Sequence, residues 1–290
     1  MRNIFKILLS LTLLTVSSIS LAQEQANVTP MEFYANCEFQ PGKTKADLYD
    51  VIEKWNKFND DLKEKSYTAF LLTPIAASNI DFENTLIWMG VWDNFEGMGN
   101  SLENYYANGS EIAESFNSVW KCNSHSFAAS LLTYEENRKD NFAGPRTSEI
   151  FSFSDCSIND GVTYADLLKA DAKYSAFLKK LEKEDPVFRI FPTAGLPQDS
   201  DFDFKMMDIN SSWSQRGKET QTFVDNGGPL KQLETYGSMV SCDSPRVYQM
   251  ERIRSVSYTH LRAHETREES RCRRVGEKKK AGGGGGGGGG

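Results

Sequence analysis

Cys37-Glu38-Phe39-Gln40-Pro41-Gly42-Lys43-Thr44-Lys45-Ala46-Asp47-Leu48 is answered, 119 positions further on, by Cys156-Ser157-Ile158-Asn159-Asp160-Gly161-Val162-Thr163-Tyr164-Ala165-Asp166-Leu167. Cys, Gly, Thr, Ala, Asp and Leu coincide at one shift, and the agreement extends outward. Phe58 and Leu62 meet Phe177 and Leu181; Pro74 meets Pro192, and Asp81-Phe82 meets Asp201-Phe202. Asn108-Gly109 meets Asn226-Gly227, and Cys122-Asn123-Ser124 meets Cys242-Asp243-Ser244. Shifts that drift only between 118 and 120 leave room for few insertions, so residues 31–136 and 148–254 read as two copies of one unit. The charged, Gly-Pro-bearing stretch 137–147 joins them.

Each copy predicts the order β-α-β-β-α-β. Glu32 to Phe39 reads as a strand, Pro41-Gly42 as a turn, and Thr44 with Asp47 as a capping box opening a helix. Leu48, Val51, Ile52, Trp55, Phe58 and Leu62 then form one apolar stripe at helical spacing. Tyr67 to Ile75 and Leu86 to Trp92 are the next strands. A second helix is expected over 99–119, broken near Asn108-Gly109, and Ser124 to Tyr134 closes the unit. The second copy repeats the plan, with Leu167, Ala170, Tyr174, Phe177, Leu178 and Leu181 on its helix stripe and Arg246 to Arg254 as its last strand.

The two ends of the chain read differently. Residues 1–22 carry Arg2 and Lys6, an apolar run from Ile7 to Val16 and Ser20-Leu21-Ala22, the pattern of a secretion leader. Residues 255–290 read as translated sequencing adapter followed by nine Gly. Setting both ends aside leaves 23 basic and 36 acidic residues in 23–254, a net charge of −13 against −7 for the whole chain. So acidic a chain argues against nucleic acid and anionic lipid as partners. No later segment approaches the roughly 18 apolar residues of a membrane anchor. A periplasmic or secreted protein is expected.

A unit of this order places both helices on one face of an antiparallel sheet. The other face carries residues too apolar to be wetted, such as Phe151, Phe153, Phe188, Ile190 and Trp88, so it needs a cover. The expected fold is therefore α+β: two tandem ferredoxin-like units whose sheets face each other as an intrachain pseudo-dimeric barrel. In element order, duplication and the third strand Trp88-Met89-Gly90-Val91-Trp92, the chain resembles the dimeric α+β barrel superfamily over 31–254. Leu72-Thr73-Pro74 and Asp81-Phe82 also resemble motifs of exported marine bacterial proteins. The superfamily includes cofactor-independent monooxygenases and haem-handling proteins, so the resemblance permits oxidative chemistry without identifying any. An internal pseudo-dimer removes the usual reason to dimerise, and a monomer is expected.

Four cysteines allow three connectivities. The ferredoxin-like order sets the end of the first strand beside the start of the fourth, which favours Cys37–Cys122 and Cys156–Cys242 in an oxidising compartment. The other reading, a thiol or metal site, finds no ligand spacing to support it, and neither metal nor cofactor is expected.

Three groups of residues are candidates for a ligand cavity. His125 is the one histidine of 23–254, and its counterpart in the second copy falls near Pro245. Trp88 and Trp92 belong to a tryptophan cluster in the first copy, expected to face a cavity inside the barrel or to pack its core. Arg189, Asp203 and Lys205 place charge on strands of the second copy, Asp203 and Lys205 on one face by period two. Three functions follow: binding of a small apolar or aromatic ligand in a barrel cavity, an enzyme of the same fold, or an acidic interaction protein. With one histidine and no Gly-x-Ser-x-Gly, a serine hydrolase is not assembled.

Overall fold

The computed structural model describes residues 28–78, 86–135, 148–197 and 200–255. The leader expected over 1–22, the joining stretch 137–147, the Asp81-Phe82 pair and the tail beyond Ser255 lie outside the described residues. The first half runs β1 (Val28–Phe39), α1 (Lys45–Asp61), β2 (Tyr67–Ala76), β3 (Ile87–Trp92), α2 (Phe95–Asn108), α3 (Ser110–Asn117) and β4 (Trp120–Tyr134). The second runs β5 (Ser148–Ile158), α4 (Tyr164–Lys180), β6 (Val187–Ala194), β7 (Phe204–Asn210), α5 (Trp213–Asp225), α6 (Gly228–Tyr236), β8 (Val240–Cys242) and β9 (Arg246–Arg254).

Local chemistry sets the helix starts. Thr44 with Asp47 and Thr163 with Asp166 form reciprocal capping boxes that open α1 and α4. The second helix of the first half begins at Phe95, earlier than its glycines suggest, because the Asn94 side chain accepts the Gly97 N–H at 2.8 Å. It breaks at Gly109, as expected, into α2 and α3.

The strands close into a ring of eight antiparallel members, in the order β7-β6-β4-β1-β3-β2-β9-β5, with β5 returning to β7. Short β8 continues the line of β9 along β5. Within the halves the pairings run β4-β1-β3-β2 and β9-β5-β7-β6, the same scheme twice. Two seams join them, β2 to β9 and β4 to β6. The molecule is thus α+β with a closed antiparallel barrel and, among the described residues, six helices.

Side chains sort by the alternation of the strands. An apolar cluster inside the barrel is drawn from both halves: Met31, Phe70, Leu72 and Met89 meet Phe151, Phe153, Ile190, Met207 and Met250. Outside the ring, the first half packs α1 and β2–β4 around Trp55, Leu71, Trp88 and Trp92. The second packs α4 and α6 onto β5–β7 around Leu167, Tyr174, Phe204 and Tyr236. Disulfides Cys37–Cys122 and Cys156–Cys242 cross at opposed residues of β1/β4 and β5/β8. Among the described residues no helix is long and apolar enough to cross a membrane.

Candidate functional site

The apolar side chains just named point into the barrel, where the sequence predicts a cavity. A cavity of about 260 Å³ opens outside the ring, between the first-half sheet and α1, α2 and α3. The sheet supplies Glu32 and Tyr34 from β1, Tyr67 from β2, Trp88 and Trp92 from β3 and Trp120 from β4. Helix α1 adds Trp55 and Asn59, α2 adds Tyr105 and Tyr106, and α3 adds Ala113 and Phe116. Trp88 and Trp92 lie on the helix side of their strand rather than the barrel side, packed in the first-half core and against this cavity.

The rings interlock. Trp55 stands edge-on to Trp88 at 4.9 Å between centroids, and Tyr67 is tilted against Trp92 at 4.7 Å. Among these aromatics sits one buried carboxylate. Glu32 is 5% exposed; one of its oxygens accepts the Tyr67 hydroxyl and the other bonds His125 Nε2 at 2.8 Å. Trp88 Nε1–H donates to the Tyr67 oxygen at 2.8 Å, extending the chain of bonds. His125 stacks flat on Tyr34, with centroids 3.9 Å apart. It does not line the cavity but backs the carboxylate that does. Trp92 Nε1 and Trp120 Nε1 are buried donors without a hydrogen-bond partner among the described residues. Burial first, then the Glu32 charge, raises the hydroxyls of Tyr34, Tyr67 and Tyr105 above the ordinary tyrosine range, which keeps them neutral donors.

Gly90 makes this arrangement possible. It lies between Glu32 and Ala69 across the ladders, and Tyr67 passes over it to reach Glu32. A Cβ built on Gly90 would come within 2.1 Å of the Tyr67 hydroxyl oxygen. Gly90→Ala is accordingly expected to expel the Tyr67 ring and lower stability by about 1–3 kcal/mol, as overpacking does. Chemical denaturation would read the loss, and near-ultraviolet circular dichroism the changed setting of Tyr67 and Trp88.

The second-half candidates are not brought together, nor near this cavity. Arg189 points to the helix side of β6, where it is held by Asp171 of α4 at 2.8 and 2.5 Å. Lys205 pairs with Asp155 on β5 and lies over Phe202. Asp203 precedes β7 and accepts the Ile158 N–H at 2.6 Å. Each is satisfied by its own partner.

At ladder positions matching the cavity, the second half carries other chemistry. Ser152 stands for Glu32, Asp208 for Gly90, Asp185 for Tyr67, Met206 for Trp88 and Asn210 for Trp92. These polar groups meet Lys183, Arg216 and Glu219, with Lys183 Nζ at 2.6 Å from Glu219 and 3.1 Å from Asp208. Burial raises the carboxyl groups of Asp208 and Asp185. Burial would raise Glu219 too, but the Lys183 charge and the N–H groups of Glu184 and Asp185 outweigh it and hold it low. Trp213 opens α5 at the surface, where Phe95 opens α2 in the first half. Among the described residues no cluster of His, Cys, Asp and Glu is arranged to hold a metal ion.

No family model and no curated protein matches this chain. Similar solved structures include a candidate chlorite dismutase, with 10% identity, 77% of this chain and 94% of that one covered, and a TM-score of 0.46. A candidate monooxygenase from Lactobacillus acidophilus overlaps with 9% identity, 79% and 95% coverage and a TM-score of 0.44. A haem-binding protein from Thermus thermophilus does so with 9% identity, 78% and 91% coverage and a TM-score of 0.43. Overlaps this loose are similarities of shape, and no argument about activity rests on them.

Proposed function

We propose that this chain is an exported, internally duplicated protein whose first half binds a small organic molecule in the cavity between its sheet and helices. The observation that carries this reading is the wall of the cavity: four of the chain's five tryptophans surround one buried carboxylate. Concave pockets lined by aromatic side chains with a small number of placed polar groups are the usual form of small-molecule sites. Duplication is supported by the repeated strand scheme and by cystines at matching ladder positions. Export is supported by the leader pattern of 1–22 and by those two cystines, which need an oxidising compartment. The second half, whose matching positions are occupied by ion pairs, serves as the structural partner that closes the barrel.

Because Trp55, Trp88, Trp92 and Trp120 all line the cavity, most of the indole emission reports on its contents, with Trp213 as background. The test is a fluorescence titration of the exported, oxidised protein with small aromatic alcohols such as 2-naphthol and with small amines, paired with a native mass spectrum. Saturable change in emission, lost in an Ala113→Trp variant that fills the cavity, is the expected result. Failure of every probe, with no added mass on the native protein, would refute a ligand cavity. An enzyme of this fold is the second reading. It is favoured by the Glu32–His125 pair, a carboxylate with proton exchange partners at a ligand-sized space. Turnover of a bound probe, abolished in Glu32→Gln, would select it.

A further inference from the structure

The chemistry of the cavity wall defines its ligand more narrowly, granted that the cavity is a ligand site. Trp55, Trp88, Trp92, Trp120 and Tyr34 line one space, and among the described residues Glu32 is the one acidic group in its wall. Among the described residues no Lys or Arg lines it. The Arg254 guanidinium lies 5.7 Å from the Trp55 ring and is engaged by Asp60 at 3.0 Å. A ring of aromatic faces attracts cations through the negative potential above each face, and it does so more strongly once water is excluded. A carboxylate within the same wall favours a cation further, whereas a neutral aromatic ligand gains nothing from it. The acidic surface of 23–254, at a net −13, draws cations toward the protein and repels anions.

We infer that the cavity is an aromatic cage for a small organic cation, a quaternary or protonated alkylamine, whose charged head rests among Trp55, Trp88, Trp92 and Trp120 and faces Glu32.

The test compares choline with 3,3-dimethylbutan-1-ol, its uncharged carbon isostere, by isothermal titration calorimetry on the exported, oxidised protein. Choline is expected to bind at least about ten-fold more tightly, since shape is shared and charge is not. Glu32→Gln, which keeps an acceptor oxygen toward one of Tyr67 and His125 and sets an NH2 donor toward the other, is expected to weaken choline at least about ten-fold and the alcohol by much less. Equal binding of the two, or tighter binding of the alcohol, would overturn the cage. So would binding of 2-naphthol without choline, an outcome that leaves the cavity itself a ligand site. The comparison on the unaltered protein needs no variant, so a Glu32→Gln chain that fails to fold does not protect the proposal.

Discussion

Asp171→Ala should lower the free energy of unfolding by about 3–5 kcal/mol, the loss seen when one member of a buried ion pair is removed. Arg189 is 1% exposed, and its guanidinium is held by both oxygens of Asp171. The same carboxylate accepts the Tyr236 hydroxyl at 2.8 Å, whose proton is held tightly by burial and by that charge. Arg189 also lies over the Phe204 ring at 4.6 Å, so without Asp171 its charge would be left among apolar groups. Urea denaturation of the single and double variants would read these effects. The first half shows what the double variant should do. Leu71 and Ile52 occupy the matching places on strand and helix, and both are buried in the first-half core. Arg189→Leu with Asp171→Ile is therefore expected to restore most of the stability lost by Asp171→Ala, or to exceed the parent, because two desolvated charges disappear together. A double variant as weak as the single one would show that the ion pair does more than satisfy itself.

Reducing the two cystines should have an effect of the same order. Each joins residues 85 or 86 positions apart, and loops of that size correspond to about 4–5 kcal/mol of chain entropy per bond. Cys37→Ser with Cys122→Ser is expected to lower the midpoint of unfolding and to loosen the cavity, since Cys122 lines it. Cys156→Ser with Cys242→Ser should lower stability comparably without altering the emission of the cavity tryptophans. Equal spectral change in both pairs would mean that the halves do not report separately.

Much of this architecture is legible in the sequence. The capping boxes, the apolar stripe of α1, the break at Gly109 and both cystines follow from short-range chemistry or from strand order, which a sequence displays. The site is only half legible. Trp88 and Trp92 announce a cluster, but period two does not say which face of a strand meets the helices. Glu32 escapes a sequence reading for a sharper reason. At the shift of 119 it aligns with Phe151, a barrel-interior residue, whereas its ladder counterpart is Ser152. The alternation slips between Tyr34 and Cys37, which both pack toward the helices, and Asn36 between them takes a left-handed conformation at φ 54°. Asn tolerates that region better than most residues, so Asn36 is the available sign. Arg189, Asp203 and Lys205 share only strand proximity in the sequence. Their partners Asp171, Ile158 and Asp155 come from elements that only the packed fold brings close.

The seam between β2 and β9 sets an order of events during folding. Leu72 finds its neighbour Met250 about 180 positions later along the chain, so β2 stands as an open edge until β9 exists. Every other pairing of the first half except β4 with β6 is internal to it and available early. An unpaired edge is the part of a sheet most apt to recruit a stray strand. A ring closed by its last strand thus trades a vulnerable period during synthesis for a finished molecule whose eight strands offer no edge to a neighbour.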